Sequence, residues 1–221
     1  MELRPPQQVM RLERRGAAHQ TRLSFTRVLL RMLRRGGWTV DRTLWDIDEA
    51  GVGRAVYTAR GEGLEVNLVA FSHDLPDAQR SDRVIAEAWD ATFALALGPL
   101  TSNDLDRLEA QFPLQEAWSV SDKDFVLSRA NRSVRLWTHV VEELSKGRQP
   151  DPARIAEVGY IMRTTAVYGS GKFGAADFDV FAGQPLLDGP FRAEMLTVWL
   201  IRTFALDLVE HMALAKGGSV A

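Results

Sequence analysis

Apolar and polar positions alternate with a period of two between residues 38 and 71. Leu64, Val66, Leu68 and Ala70 stand on one side of the alternation and Glu65 and Asn67 on the other, the pattern of a strand with one wet face. Trp38 to Trp45 and Gly53 to Arg60 have the same texture, and Gly61-Glu62-Gly63 is a short glycine-bearing link suited to a hairpin. Three antiparallel strands are predicted over about 38–71.

Elsewhere the period reads as helical. Val9 and Leu12, then Leu23, Val28, Leu29, Leu30, Met32 and Leu33, predict two basic helical stretches separated near Gly16, the second stopped by Gly36-Gly37. After Pro76, Val84, Ile85, Ala88, Trp89, Thr92, Phe93 and Leu97 recur at helical offsets up to Gly98-Pro99. A shorter helix is expected over Thr101 to Phe112, capped by Thr101 or Ser102. A longer one is expected from Ser121 to Gly147, another opening at Pro152, and a last one from Phe191 to about Lys216 that is apolar on most of its circumference. The expected fold class is α+β, predominantly α-helical, with a small three-stranded antiparallel sheet packed on a helical body. The expected organisation is a basic helical arm (1–37), a sheet segment (38–75) and a helical body (76–221) in one compact unit.

Composition narrows the class. The chain has 221 residues, 46% of them hydrophobic, with no cysteine. Disordered and disulfide-rich classes are excluded, as are thiolate catalysis and cysteine-ligated zinc. No apolar run reaches the ~18 residues of a membrane span, so no membrane partner is expected and the location is taken as cytoplasmic. Only four of the 27 basic residues are lysines, an arginine bias read as that of a GC-rich, bacterial genome.

Charge is unevenly placed. Residues 1–37 carry nine arginines against Glu2 and Glu13, a net of +7, which leaves −9 on the remainder of a chain whose total is −2. An acidic remainder can neutralise a basic arm within the molecule or between copies, and that reading is preferred to a nucleic-acid partner.

One motif has possible chemistry. Tyr168-Gly-Ser-Gly-Lys-Phe-Gly174 matches G-x-G-x-x-G and holds one of the four lysines. Glycines at this spacing let backbone N–H groups converge on an anion, and the Lys172 ammonium supplies a positive charge. Ala166 and Phe173 rule out a Walker A loop, and no strand–helix–strand unit supports a dinucleotide fingerprint. Placement decides its use. If Pro152 to Tyr168 is a helix, Gly169 is its C-terminal cap and the helix dipole repels an anion. If Ile161 to Tyr168 is a strand, Arg163 and the Thr164-Thr165 hydroxyls alternate beside the loop and favour a phosphate.

The other candidates are weaker. His139 with Glu142 and Glu143, and His211 with Asp207 and Glu210, share helix faces but lack the paired Glu-x-x-His spacing of helical metal sites, so no metal is assigned. His73-Asp74 reads as a turn, and no G-x-S-x-G marks a serine nucleophile.

The expected function is therefore binding of an anionic small molecule, through a phosphate or carboxylate, by Lys172, Gly169, Gly171 and Gly174 with Arg163 and Tyr168 beside them. The residues specify no reaction and no cofactor. The competing expectation is a non-catalytic homo-oligomeric assembly subunit, using the arginine-rich arm and the apolar last helix as contacts.

Overall fold

The computed structural model describes residues 20–82, 86, 88–111, 124–166 and 190–218. Its centre is a six-stranded antiparallel sheet in the order β1–β2–β3–β4–β5–β6. The strands are β1 (Thr39–Ile47), β2 (Gly53–Gly61), β3 (Leu64–Ser72), β4 (Ala91–Leu97), β5 (Asp124–Arg132) and β6 (Met162–Ala166). Five helices are described: α1 (Gln20–Arg35), α2 (Ser102–Gln111), α3 (Trp137–Ser145), α4 (Pro152–Val158) and α5 (Pro190–Ala215). The first three strands stand where the alternation places them. β2 and β3 are joined at Glu62 and Gly63, whose φ values of 53° and 77° are those of a tight hairpin.

The small three-stranded sheet is corrected to six strands, and the all-helical body with it. Residues 91–97 form β4 and not the end of a helix. Ala-Thr-Phe-Ala-Leu-Ala-Leu is buried along nearly its whole length, so no wet face imposes a period of two on its sequence. The expected helix over 121–147 divides. Its first part contains β5, which pairs with β4 and β6, and its second part contains α3. Polar Ser128, Asn131 and Arg132 are buried in β5, and for Asn131 and Arg132 carbonyl partners elsewhere in the fold receive the side chains.

The helix opening at Pro152 is also shorter than expected. Asp151 caps it by accepting the Ala153 N–H at 2.8 Å, and Gly159, at φ 75°, closes it by donating to the Ile155 carbonyl. The chain is then free to enter β6. Thr101 caps α2 in a reciprocal box, its hydroxyl accepting the Asp104 N–H while the Asp104 carboxylate accepts the Thr101 N–H.

The two faces of the sheet are covered unequally. Ala55, Tyr57, Ala59, Leu68, Ala70, Phe93, Leu95 and Ala130 form an inner face that joins one apolar cluster with Leu29 and Leu33 of α1, Val140 and Val141 of α3, and α5. Phe204 of α5 is fully buried and meets Phe93 edge-to-face at 5.5 Å. On the outer face, α2 lays Leu105 and Leu108 over Val56, Val69, Phe71 and Ala94. α5 is apolar nearly all round because it is central to the chain's own core.

Candidate functional site

The whole of the loop singled out by its glycines, with Tyr168, Gly169, Gly171, Lys172 and Gly174, lies outside the described residues. Arg163 is described. It sits on β6 opposite Asn131 of β5, so the chain leaves Ala166 from a strand and not from a helix end. The Arg163 guanidinium donates to the Asp82 carbonyl and lies 5.5 Å from the centre of the Tyr160 ring, and the Tyr160 hydroxyl donates to the same carbonyl at 3.4 Å.

Asp82 is the hub of this end of the sheet. Its carboxylate accepts the Val134 N–H at 3.0 Å and Arg135 Nε at 2.9 Å, while Arg154 donates to the Arg135 carbonyl. Arg80, Ser81, Asp82, Val134 and Arg135 line an open cleft of about 480 Å³.

Behind the cleft lies Asp90, whose side chain is fully buried. The Arg132 backbone N–H donates to both of its oxygens, at 3.0 and 3.1 Å, and Arg80 Nε lies 2.8 Å from Oδ2. The Asp90 N–H in turn donates to Asn131 Oδ1. Burial pushes the Asp90 carboxyl above the usual carboxylate range, opposed by the charges of Arg132 and Arg80. Burial likewise pulls the Arg132 guanidinium down, opposed chiefly by Asp90. That guanidinium donates to the Gly51 carbonyl at 2.9 Å and to Ser72 Oγ, and it lies over the Trp137 ring at 5.4 Å. Gly51 has φ 82°, and a Cβ there would come within 2.9 Å of Met212 Sδ, so the turn before β2 closes tightly over this network.

Several buried donors at this end, Trp89 Nε1, Arg132 Nε, Ser133 Oγ and Trp137 Nε1, have no hydrogen-bond partner among the described residues. Arg129 lies over the Trp89 ring at 5.0 Å, and His73 Nε2 is 3.3 Å from Thr92 Oγ1, with burial holding the imidazole pKa below its ordinary value. The local chemistry is rich in cationic and N–H donors around two buried or half-buried carboxylates, which suits a group that accepts hydrogen bonds and carries negative charge.

Arg163 is legible in the sequence, whereas Arg80, Asp82, Asp90, Arg132 and Arg135 are not. The repeated three-residue spacing of Arg129, Arg132 and Arg135 is visible, but within a stretch whose period reads as helical. The histidine clusters are committed elsewhere. His139 Nε2 accepts the Asp151 N–H, Glu143 pairs with Arg148 at 2.6 Å, Asp207 receives the Tyr57 hydroxyl at 2.6 Å, and His211 bridges Trp45 Nε1 and the Asp48 carbonyl. Among the described residues no three histidine or acidic side chains are grouped to hold a metal ion, and no helix is long and apolar enough to cross a membrane.

Comparison with protein-family models, with curated proteins and with solved structures finds no significant match to this chain.

Proposed function

We propose that the protein binds an anionic small molecule, through a phosphate or carboxylate group, where β6 leads towards the Gly169–Gly174 loop. Lys172 and the amides of Gly169, Gly171 and Gly174 form the cradle, with Arg163 and Tyr168 beside it. The observation that carries this reading is that residues 162–166 are a strand. The helix before it closes at Gly159, so the helix whose dipole would repel an anion does not run on through residues 162–166. The arginines gathered around Asp82 and Asp90 support the same sign of ligand.

Thermal denaturation with inorganic phosphate, nucleotides, sugar phosphates, acyl-CoAs and carboxylic acids tests it. A ligand present at about one hundred times its dissociation constant adds about 2.7 kcal/mol to stability. For a chain of this length that raises Tm by roughly 5–10 °C. The shift is expected in the wild type and lost in Lys172→Ala. No shift with any compound, or the same shift in the variant, removes the reading.

The assembly reading retains one of its two surfaces. Most of the described apolar side chains of α5 lie in the chain's own core, Leu206 and Leu214 being exposed, whereas Arg27, Arg31, Arg34 and Arg35 of α1 face outward.

A further inference from the structure

α1 docks on the molecule through Leu29 and Leu33, each only 3% exposed, with Leu30 and Met32 packed against the same cluster. Opposite the two leucines, within an arc of about 100° at ~3.6 residues per turn, stand Arg27, Arg31, Arg34 and Arg35, all exposed. The leucines that interrupt the arginines in the sequence thus turn inward, and the outward face is left to four guanidinium groups and Val28. No aspartate or glutamate occurs anywhere in the helix.

The molecule itself leaves this face charged. Among the described residues no carboxylate pairs with any of the four arginines. The nearest acids in the sheet serve other cations: Asp41 and Glu65 meet Arg60, and Asp207 meets Arg42. Arg31 stands four residues from Arg27 and from Arg35 and three from Arg34, spacings at which like charges repel. Arg34 and Arg35 are favoured by the helix C-terminus they flank, whereas Arg27 and Arg31 lie outside the last turn and gain nothing from it.

We infer that this face of α1 binds the phosphate backbone of duplex DNA, without regard to base sequence. From Arg27 to Arg35 the helix advances roughly 12 Å at ~1.5 Å per residue, and a duplex carries a negative charge about every 1.7 Å of its axis, so a row of this length faces several phosphates. Each guanidinium can meet phosphate oxygens with paired N–H donors, which makes charge-assisted bonds. Because its apolar side is packed on the body of the molecule, α1 meets the duplex with one face only. That face has no amide or hydroxyl side chain to read base edges, so the contact positions the duplex and does not select its sequence.

An anionic bilayer fits less well. A helix that lies on a membrane sinks its apolar side into it, whereas the apolar side of α1 is already buried and Val28 is the only apolar side chain on the exposed face of its described residues.

Fluorescence anisotropy of the full chain with short labelled DNA duplexes of two unrelated sequences tests this. Both duplexes are expected to bind alike. Their affinity is expected to fall roughly a hundredfold or more between about 50 and 200 mM salt, since each of four neutralised phosphates adds about −0.9 to the slope of log affinity against log salt. Arg31→Gln with Arg34→Gln removes two contacts and is expected to flatten that slope by about 1.8, with the circular dichroism of the fold unchanged. A control with the same loss of charge, Arg148→Gln with Arg154→Gln, both exposed and on other elements, is expected to bind as the wild type does. No binding at the lower salt, an unchanged slope in the α1 variant, an equal loss in the control, or tighter binding to anionic phospholipid vesicles than to either duplex would overturn the inference. So would wild-type dimers in sedimentation velocity that the α1 variant dissociates, because a second copy would then cover the face.

Discussion

At the scale of single residues, Asp90 decides most. Its fully buried carboxylate is the shared acceptor for the Arg132 amide and the Arg80 guanidinium. Removing one partner of such a buried pair strands the other, a loss of about 3–5 kcal/mol. Asp90→Ala is therefore expected to lower the urea unfolding free energy by that amount, and a loss below about 1 kcal/mol would mean that the network adds little. His73 sets an acid limit. Burial depresses its folded-state pKa below the ordinary value of about 6.5, so the unfolded chain takes up a proton first as the pH falls. Its contribution is complete above about pH 6.5 and is lost progressively below it, by at most about 1.4 kcal/mol per pH unit. Urea midpoints measured across this range are expected to fall on the acid side in the wild type, with a shallower fall in His73→Gln; identical slopes would assign the acid sensitivity to other groups.

At the scale of elements, α5 holds the inner face together. Phe204 has no exposed surface and lies against both Phe93 and Trp45, with ring centres 5.5 and 6.1 Å away. Phe204→Ala is expected to cost about 3–5 kcal/mol by chemical denaturation, and a cost under about 1 kcal/mol would mean that the helix repacks around the gap. This helix is readable from the sequence because 26 residues with few charges must be covered on most sides. The first three strands are readable because Glu65 and Asn67 alternate with apolar neighbours and Glu62-Gly63 makes the turn, although Asn67 faces no water: it is buried, donating to the Gly98 carbonyl and accepting from the Thr58 hydroxyl. β4 is not, because a strand buried on both faces has lost its alternation. β5 is hidden by its own polarity. Asn131 and Arg132 belong in a buried strand only because the Ala88 and Gly51 carbonyls, remote in sequence, receive them. The same remoteness conceals the arginine cluster: Asp82 and Asp90 look like scattered acids until β4 and β5 bring Arg132 and Arg135 to them. Arg163 alone can be foreseen, and only on the condition that its segment is extended.

At the scale of the whole molecule, charge and apolar surface are arranged independently. The apolar cluster runs through α1, the sheet, α3 and α5, whereas the exposed charges separate along β1 into a basic end and an acidic end.

The strand order has a consequence for synthesis. Each strand pairs with the one made just before it, so the sheet can zip up from its amino-terminal edge while the rest is still being translated, with short loops to close at the first two of its five steps. Its inner face, however, waits for a lid that is made last. Until α5 emerges, Leu68, Phe93 and Leu95 face water, and a ribosome stalled before residue 190 would hold a nascent sheet whose sticky side is a target for chaperones or for neighbouring chains.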